Sequence, residues 1–233
     1  MFTIVSFNDS NGERVRIDDD WWGAHDVGMN NPQMHAAYIW FDLEFTDLDP
    51  AKARILQVAV LATDVHLQPL PSGDQGLNLC LKLAEGAHIS PWVEENLADL
   101  LARCRSAEAL PPETAARMLV EYMDRVVGPP AEDISDRPVL AGNSVHMDWR
   151  LACQHFPRFI ERLHYRMLDV SSLKLQWAGW LDRPEFDKDD AAVVEANLPF
   201  SVDALAGQPH DAHYDILASI AELHYYRQHM LQE

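Results

Sequence analysis

A chain of 233 residues, 48% of them hydrophobic, holds enough apolar material for one sizeable core and excludes wholesale disorder. Its formal net charge of -19, from 18 basic and 37 acidic residues, argues against tight binding to long polyanions, although a short anion can still be held by a few local donors and by cations. No apolar run approaches a membrane span, Met1–Val5 lacks the basic region of a signal peptide, and Cys80, Cys104 and Cys153 show no metal-binding or disulfide-framework spacing. A soluble cytoplasmic protein with ordinary thiols is expected.

Residues 1–35 read as an extension before the main domain, 36–233. Phe2 to Phe7 has the composition of a short strand, Asn8 to Gly12 reads as a turn, and the acidic-then-aromatic stretch Asp18 to Gly23 has no period. Strands are predicted at 37–44, at 54–63 and at 77–83, the last after the Pro- and Gly-bearing segment 69–76. One amphipathic helix follows the stripe Val93, Leu97, Leu100, Leu101 and Cys104. A second follows Ala115, Met118, Leu119, Tyr122 and Val126, opened by Pro111-Pro112 and closed by Gly128-Pro129-Pro130. A short buried strand at 138–142 leads into Asn143-Ser144. Helical segments over 146–163, broken at Pro157, precede a strand at 167–170 and a helix over 171–180. Residues 182–208 read as irregular apart from a helical turn near 189–196, and a last helix spans about 211–229. Strands first, then alternating helices and strands, predict a mixed α/β domain.

The chemistry is concentrated at Asp42 and Glu44. Side chains two apart on a strand leave the same face, so both carboxylates share one side of a segment whose approach, Ala37 to Phe41, is apolar. Repulsion and desolvation oppose burying two like charges together, and a shared hard divalent cation with oxygen ligands removes that objection. Asp148 lies where a short apolar strand gives way to a helix, and the ends of such elements open at the mouth of a sheet. His210 precedes the last helix and Asp215 sits in its first turns, so both can face one opening. Taken singly, each of these residues is as well explained as solvated surface.

Taken together, the motifs 42–50 (Asp-Leu-Glu-Phe-Thr-Asp-Leu-Asp-Pro), 141–148 (Ala-Gly-Asn-Ser-Val-His-Met-Asp) and 210–215 (His-Asp-Ala-His-Tyr-Asp) resemble the three exonuclease motifs of the DEDDh superfamily. Their order and spacing, with 164–174 and 219–227, are similar to its oligoribonuclease branch. The resemblance implies a ribonuclease H-like fold, a mixed central sheet flanked by helices. It also implies hydrolysis of short RNA from the 3′ end, especially dinucleotides, to 5′ mononucleotides. By motif, Asp42, Glu44, Asp148 and Asp215 would hold two divalent cations, Mg²⁺ or Mn²⁺, with Asp42 bridging and His210 the general base. Ser144 and His88 resemble a cap for a terminal 5′ phosphate, Tyr165 and Arg166 resemble cap residues supplied by the second subunit of a homodimer, and Leu43 is a further substrate-binding candidate. The chain departs from the pattern at Asp47, which adds a carboxylate near the metals, at His213-Tyr214, and at Leu83, where an aromatic is usual. The competing readings are a broader exonuclease trimming RNA or DNA tails and a non-catalytic nucleotide-binding scaffold.

Overall fold

The computed structural model describes residues 6–8, 14–16, 38–181, 183–202, 205 and 207–230. The chain divides into two compact units, Met1–Pro32 and Gln33–Glu233. In the first, β1 (Ser6–Asn8) pairs antiparallel with β2 (Arg14–Arg16). Asn8, expected to begin a turn, thus ends a strand. Most of the predicted Phe2–Phe7 strand and all of Asp18 to Gly23 lie outside the described residues.

The second unit is built on β3 (Tyr38–Phe45), β4 (Ile55–Thr63), β5 (Leu77–Cys80), β6 (Val139–Gly142) and β7 (Met167–Asp169). Their order is β5-β4-β3-β6-β7. The first three are antiparallel, while β6 and β7 run parallel to β3. The expected mixed sheet is present. Period-two alternation sorts β3 between two cores. Ile39, Phe41 and Leu43 join the core that includes Leu119, Tyr122, Leu151 and Phe159; Trp40 joins the one that includes Trp177, Ile216 and Ile220. Every residue of β4 is buried, as befits a strand covered on both faces.

The helices are α1 (Pro91–Asn96), α2 (Ala98–Cys104), α3 (Pro112–Val127), α4 (His146–His155), α5 (Pro157–Ile160), α6 (Val170–Gly179), α7 (Ala191–Asn197) and α8 (Ala212–Met230). The single helix predicted from Val93 to Cys104 is two helices broken at Leu97 (φ -119°, ψ 31°). Its apolar stripe continues across the break because Val93, Leu97, Leu100, Leu101 and Cys104 all enter one small core with Leu56. The β5 strand stops at Cys80, short of 83, and Leu81 makes an isolated bridge to Leu110.

Two local features shape the carboxyl end of β3. The β3–β4 register shifts between Glu44 and Phe45, where Leu56 of β4 is left without a partner, a bulge in the strand beside the acidic pair. Beside it, a Cβ on Gly142 would meet the Phe41 carbonyl oxygen at 3.0 Å, so the absence of a side chain lets β6 close on β3 immediately before Asn143.

Candidate metal centre and substrate cleft

The carboxyl ends of the parallel neighbours β3 and β6 open into a cleft of about 420 Å³. Asp42, Leu43, Glu44, Ser144, Asp148, His210 and Asp215 all line it. Asp42 and Glu44 come from β3 on the predicted common face, Asp148 from the first turn of α4, and Asp215 from the first turn of α8. Glu44, His210 and Asp215 can present ligand atoms that all lie within 4.8 Å of one another. Asp42 and Asp148 face the same cleft outside that close trio.

The site's electrostatics are strained toward protonation. Desolvation, then Asp148, Asp215 and Glu44, push Asp42 well above the usual carboxylate range. Glu44 rises to about 8, chiefly by desolvation and then by Asp215 and Asp148. Asp148 rises to about 7 by desolvation even though its Oδ1 accepts the Leu43 N–H at 2.9 Å. Asp215 rises for the same first reason, opposed by Lys188, whose Nζ lies 3.5 Å from Oδ1, and by the His210 N–H, which donates to Oδ2 at 2.9 Å. Oxygen donors this crowded fit a hard divalent cation such as Mg²⁺ or Mn²⁺, whereas zinc normally recruits more His or Cys.

His210 itself is exposed and has a left-handed backbone, φ 69°. Its ring stands edge-on to the Trp92 indole, with centroids 5.1 Å apart. Trp92 is half exposed and is placed by a short capped helix. Ser90 Oγ accepts from Val93 N, Pro91 opens the turn, and Ser90 N donates to the Thr46 carbonyl just past β3. The sequence had assigned Trp92 to neither stripe nor site.

Lys188 was also missed, because it lies in the segment read as irregular. The Tyr214 hydroxyl donates to the Lys188 carbonyl at 2.9 Å, so a departure from the family pattern holds in place the loop that carries this ammonium. The other, His213, bonds the Gln75 carbonyl at 3.0 Å.

Ser144 sits at φ 49°, its N–H donating to Asp169 Oδ1 and Ser171 Oγ, each at 3.0 Å. Behind it, the Asn143 amide donates to Glu222 Oε2 at 2.8 Å and to Ser219 Oγ at 3.1 Å. His88 and Asp47 do not line the cleft. Asp47 accepts the Asp49 N–H and pairs with His88 at 2.7 Å, and these contacts hold its carboxyl below the usual range. Tyr165 and Arg166 do not line it either. Both are exposed, with the guanidinium 5.6 Å from the Tyr165 ring centre.

A family model described as exonuclease (RNase_T) matches residues 39–223. The chain is 33% identical over 194 residues to the oligoribonuclease of Photobacterium profundum, covering 82% of this chain and 94% of that protein. It is 31% identical over 198 residues to a probable oligoribonuclease of Schizosaccharomyces pombe, covering 83% of this chain and 68% of that one. Among solved structures, the Mg²⁺- and Mn²⁺-bound form of S. pombe Pop2p superposes with a TM-score of 0.58 at 11% identity, over 84% of each chain. Exonuclease I of Methylocaldum szegediense superposes at 0.57 and 21% identity, over 84% of this chain and 41% of that one. These two likenesses concern the fold. The chain belongs to the exonuclease family, as a DEDDh enzyme related to the oligoribonucleases. It is a metal-dependent 3′–5′ exonuclease.

Proposed function

We propose that the enzyme hydrolyses short RNA, dinucleotides above all, to 5′ mononucleotides with two divalent cations, Mg²⁺ or Mn²⁺. One observation carries the reading: four carboxylates from β3, α4 and α8 converge on a single cleft in which burial raises each of them above its ordinary range. Asp42, Glu44, Asp148 and Asp215 would hold the cations. When bound, these lower the pKa of the attacking water and neutralise charge at the phosphate and the leaving 3′ oxygen.

The chain's own groups do the rest. His210 accepts the proton of the attacking water from its perch above Asp215. Trp92, half exposed on α1, offers its ring beside that histidine for a terminal base, and Leu43 of β3 an apolar wall of the cleft. Ser144 supplies a hydroxyl to a 5′ phosphate. The position of Tyr165 and Arg166 outside their own cleft fits their assignment to the cleft of a partner in a homodimer, with His88 at the same cap. The net charge of -19 favours a short anion over a polymer. Residues 36–233 form the catalytic domain, with 1–35 as an extension, and the enzyme acts in the cytoplasm.

A product-resolved assay on labelled RNA of graded length, with and without a 5′ phosphate, tests this. Dinucleotides carrying the phosphate should turn over fastest with Mn²⁺, and not at all with chelator. Equal rates at every length, or equal rates on DNA, would instead make the protein a broader trimming exonuclease.

A further inference from the structure

Cys80 ends β5 and Cys104 ends α2, 24 residues apart in the chain, yet their sulfurs lie 3.3 Å apart. The two thiols differ. Cys104 is fully buried and its S–H also faces the Leu56 carbonyl at 3.3 Å, whereas Cys80 retains access to solvent. The backbone around them is tied on both sides: Leu110 N donates to the Cys80 carbonyl at 2.9 Å and Leu83 N to the Cys104 carbonyl at 3.0 Å. Neither sulfur belongs to the cleft.

We propose that Cys80 and Cys104 form a reversible oxidation site, with Cys80 the reacting thiol and Cys104 its buried resolving partner, and with hydrogen peroxide as the oxidant. In the first step the Cys80 thiolate attacks one peroxide oxygen. The O–O bond breaks, a sulfenic acid forms, and the other oxygen leaves as water after taking a proton. In the second step the Cys104 sulfur attacks the Cys80 sulfur. An S–S bond forms, the hydroxyl leaves as water, and the Cys104 proton is released to it. Both cysteines are oxidised and one peroxide is reduced to two waters. An external thiol reverses the change.

The environment favours this division of roles. The sulfur–sulfur contact with Cys104, with Arg103 nearby, draws the Cys80 thiol down to about 7, while the same contact and burial push Cys104 well up. Cys153 is an internal comparison: it is exposed, but it has no sulfur partner here, and burial pushes its thiol up. Exposure alone would make Cys153 the first to react. The pairing makes it Cys80.

The full-length protein, reduced and then treated with stoichiometric hydrogen peroxide near neutral pH, is alkylated and mapped by mass spectrometry. The expected product is lighter by two hydrogens, contains a Cys80–Cys104 crosslinked peptide that a thiol reductant removes, and leaves Cys153 alkylated. Cys104→Ala should stop at a Cys80 sulfenic acid, trapped by dimedone, and pass with excess peroxide to the irreversible sulfinic acid. Because Cys104 lies in a core, Cys80→Ser serves as the second variant, and its Cys104 should stay reduced. First oxidation at Cys153, or oxidation of Cys80 in the native chain without a crosslink to Cys104, would overturn the proposal.

Discussion

The amide of His210 donates to Oδ2 of Asp215 at 2.9 Å, so the loop bearing the imidazole is fastened to one of the carboxylates beneath it. The same residue adopts φ 69°, a conformation that costs an L side chain roughly 1–2 kcal/mol. His210→Ala should lower turnover roughly 10²–10⁴-fold while Mn²⁺ binding, read by calorimetry, changes little. His210→Gly should be equally inactive but more stable than the alanine variant, by about 1 kcal/mol. Loss of cation binding as complete as in Asp215→Asn would make the imidazole a ligand instead of a base.

Asp42→Asn tests the metal centre directly. The substitution keeps the shape of a side chain at the heart of the cleft and removes its charge. Turnover should nearly vanish while circular dichroism shows the fold intact. Near wild-type rates would rule out the assigned site.

The raised carboxylates set a pH dependence for the metal-free enzyme. Between the unfolded carboxylate pKa of about 4 and the folded values of about 7 for Asp148 and about 8 for Glu44, the folded state binds more protons than the unfolded chain. Stability without metal should therefore fall as pH rises through that window, and Mg²⁺ or Mn²⁺ should restore it most at the alkaline end. Lys188 opposes the raised values, so Lys188→Met should steepen the decline. Thermal melts from pH 5 to about 8.5, with chelator and with metal, measure it; a flat profile with chelator would contradict the burial described here.

Trp92→Ala should raise KM for a dinucleotide by the loss of a stacking surface, on the order of 1–3 kcal/mol per base, with Trp92→Phe retaining most of the affinity. A fall confined to kcat would show that the indole serves His210 and not the base.

Arg166→Ala should penalise 5′-phosphorylated dinucleotides far more than longer oligomers, because a guanidinium fork suits a terminal phosphate. Mixed with Asp42→Asn subunits, it should regain activity, since one cleft of the heterodimer would combine an intact metal centre with an intact Arg166. Equal losses at all lengths would make the residue structural, and no regain in a verified heterodimer would remove it from the partner's site.

What could be read from the sequence followed the range of the forces involved. Asp42 and Glu44 announced themselves because strand alternation is strictly local, and α3 because its stripe and proline punctuation coincide. The break at Leu97 was hidden because both short helices bury the same stripe in the same small core. Trp92, on the short α1, and Lys188, on a loop, are placed by long-range contacts such as Ser90 to Thr46 and Tyr214 to Lys188, which no periodicity encodes. Pairing of Cys80 with Cys104 is likewise a product of β5 and α2 meeting in space.

The continuous burial of β4 implies two clocks within one active site. Amides in a strand sealed on both faces and paired on both edges exchange with deuterium only when the whole domain opens, and its neighbour β3, which carries Asp42 and Glu44, shares that protection. His210 stands on an exposed turn just before α8, so its neighbourhood should label sooner than β3. Asp42 and Glu44 therefore sit on the slowest part of the molecule, while His210, the proposed base, rides on a quicker one.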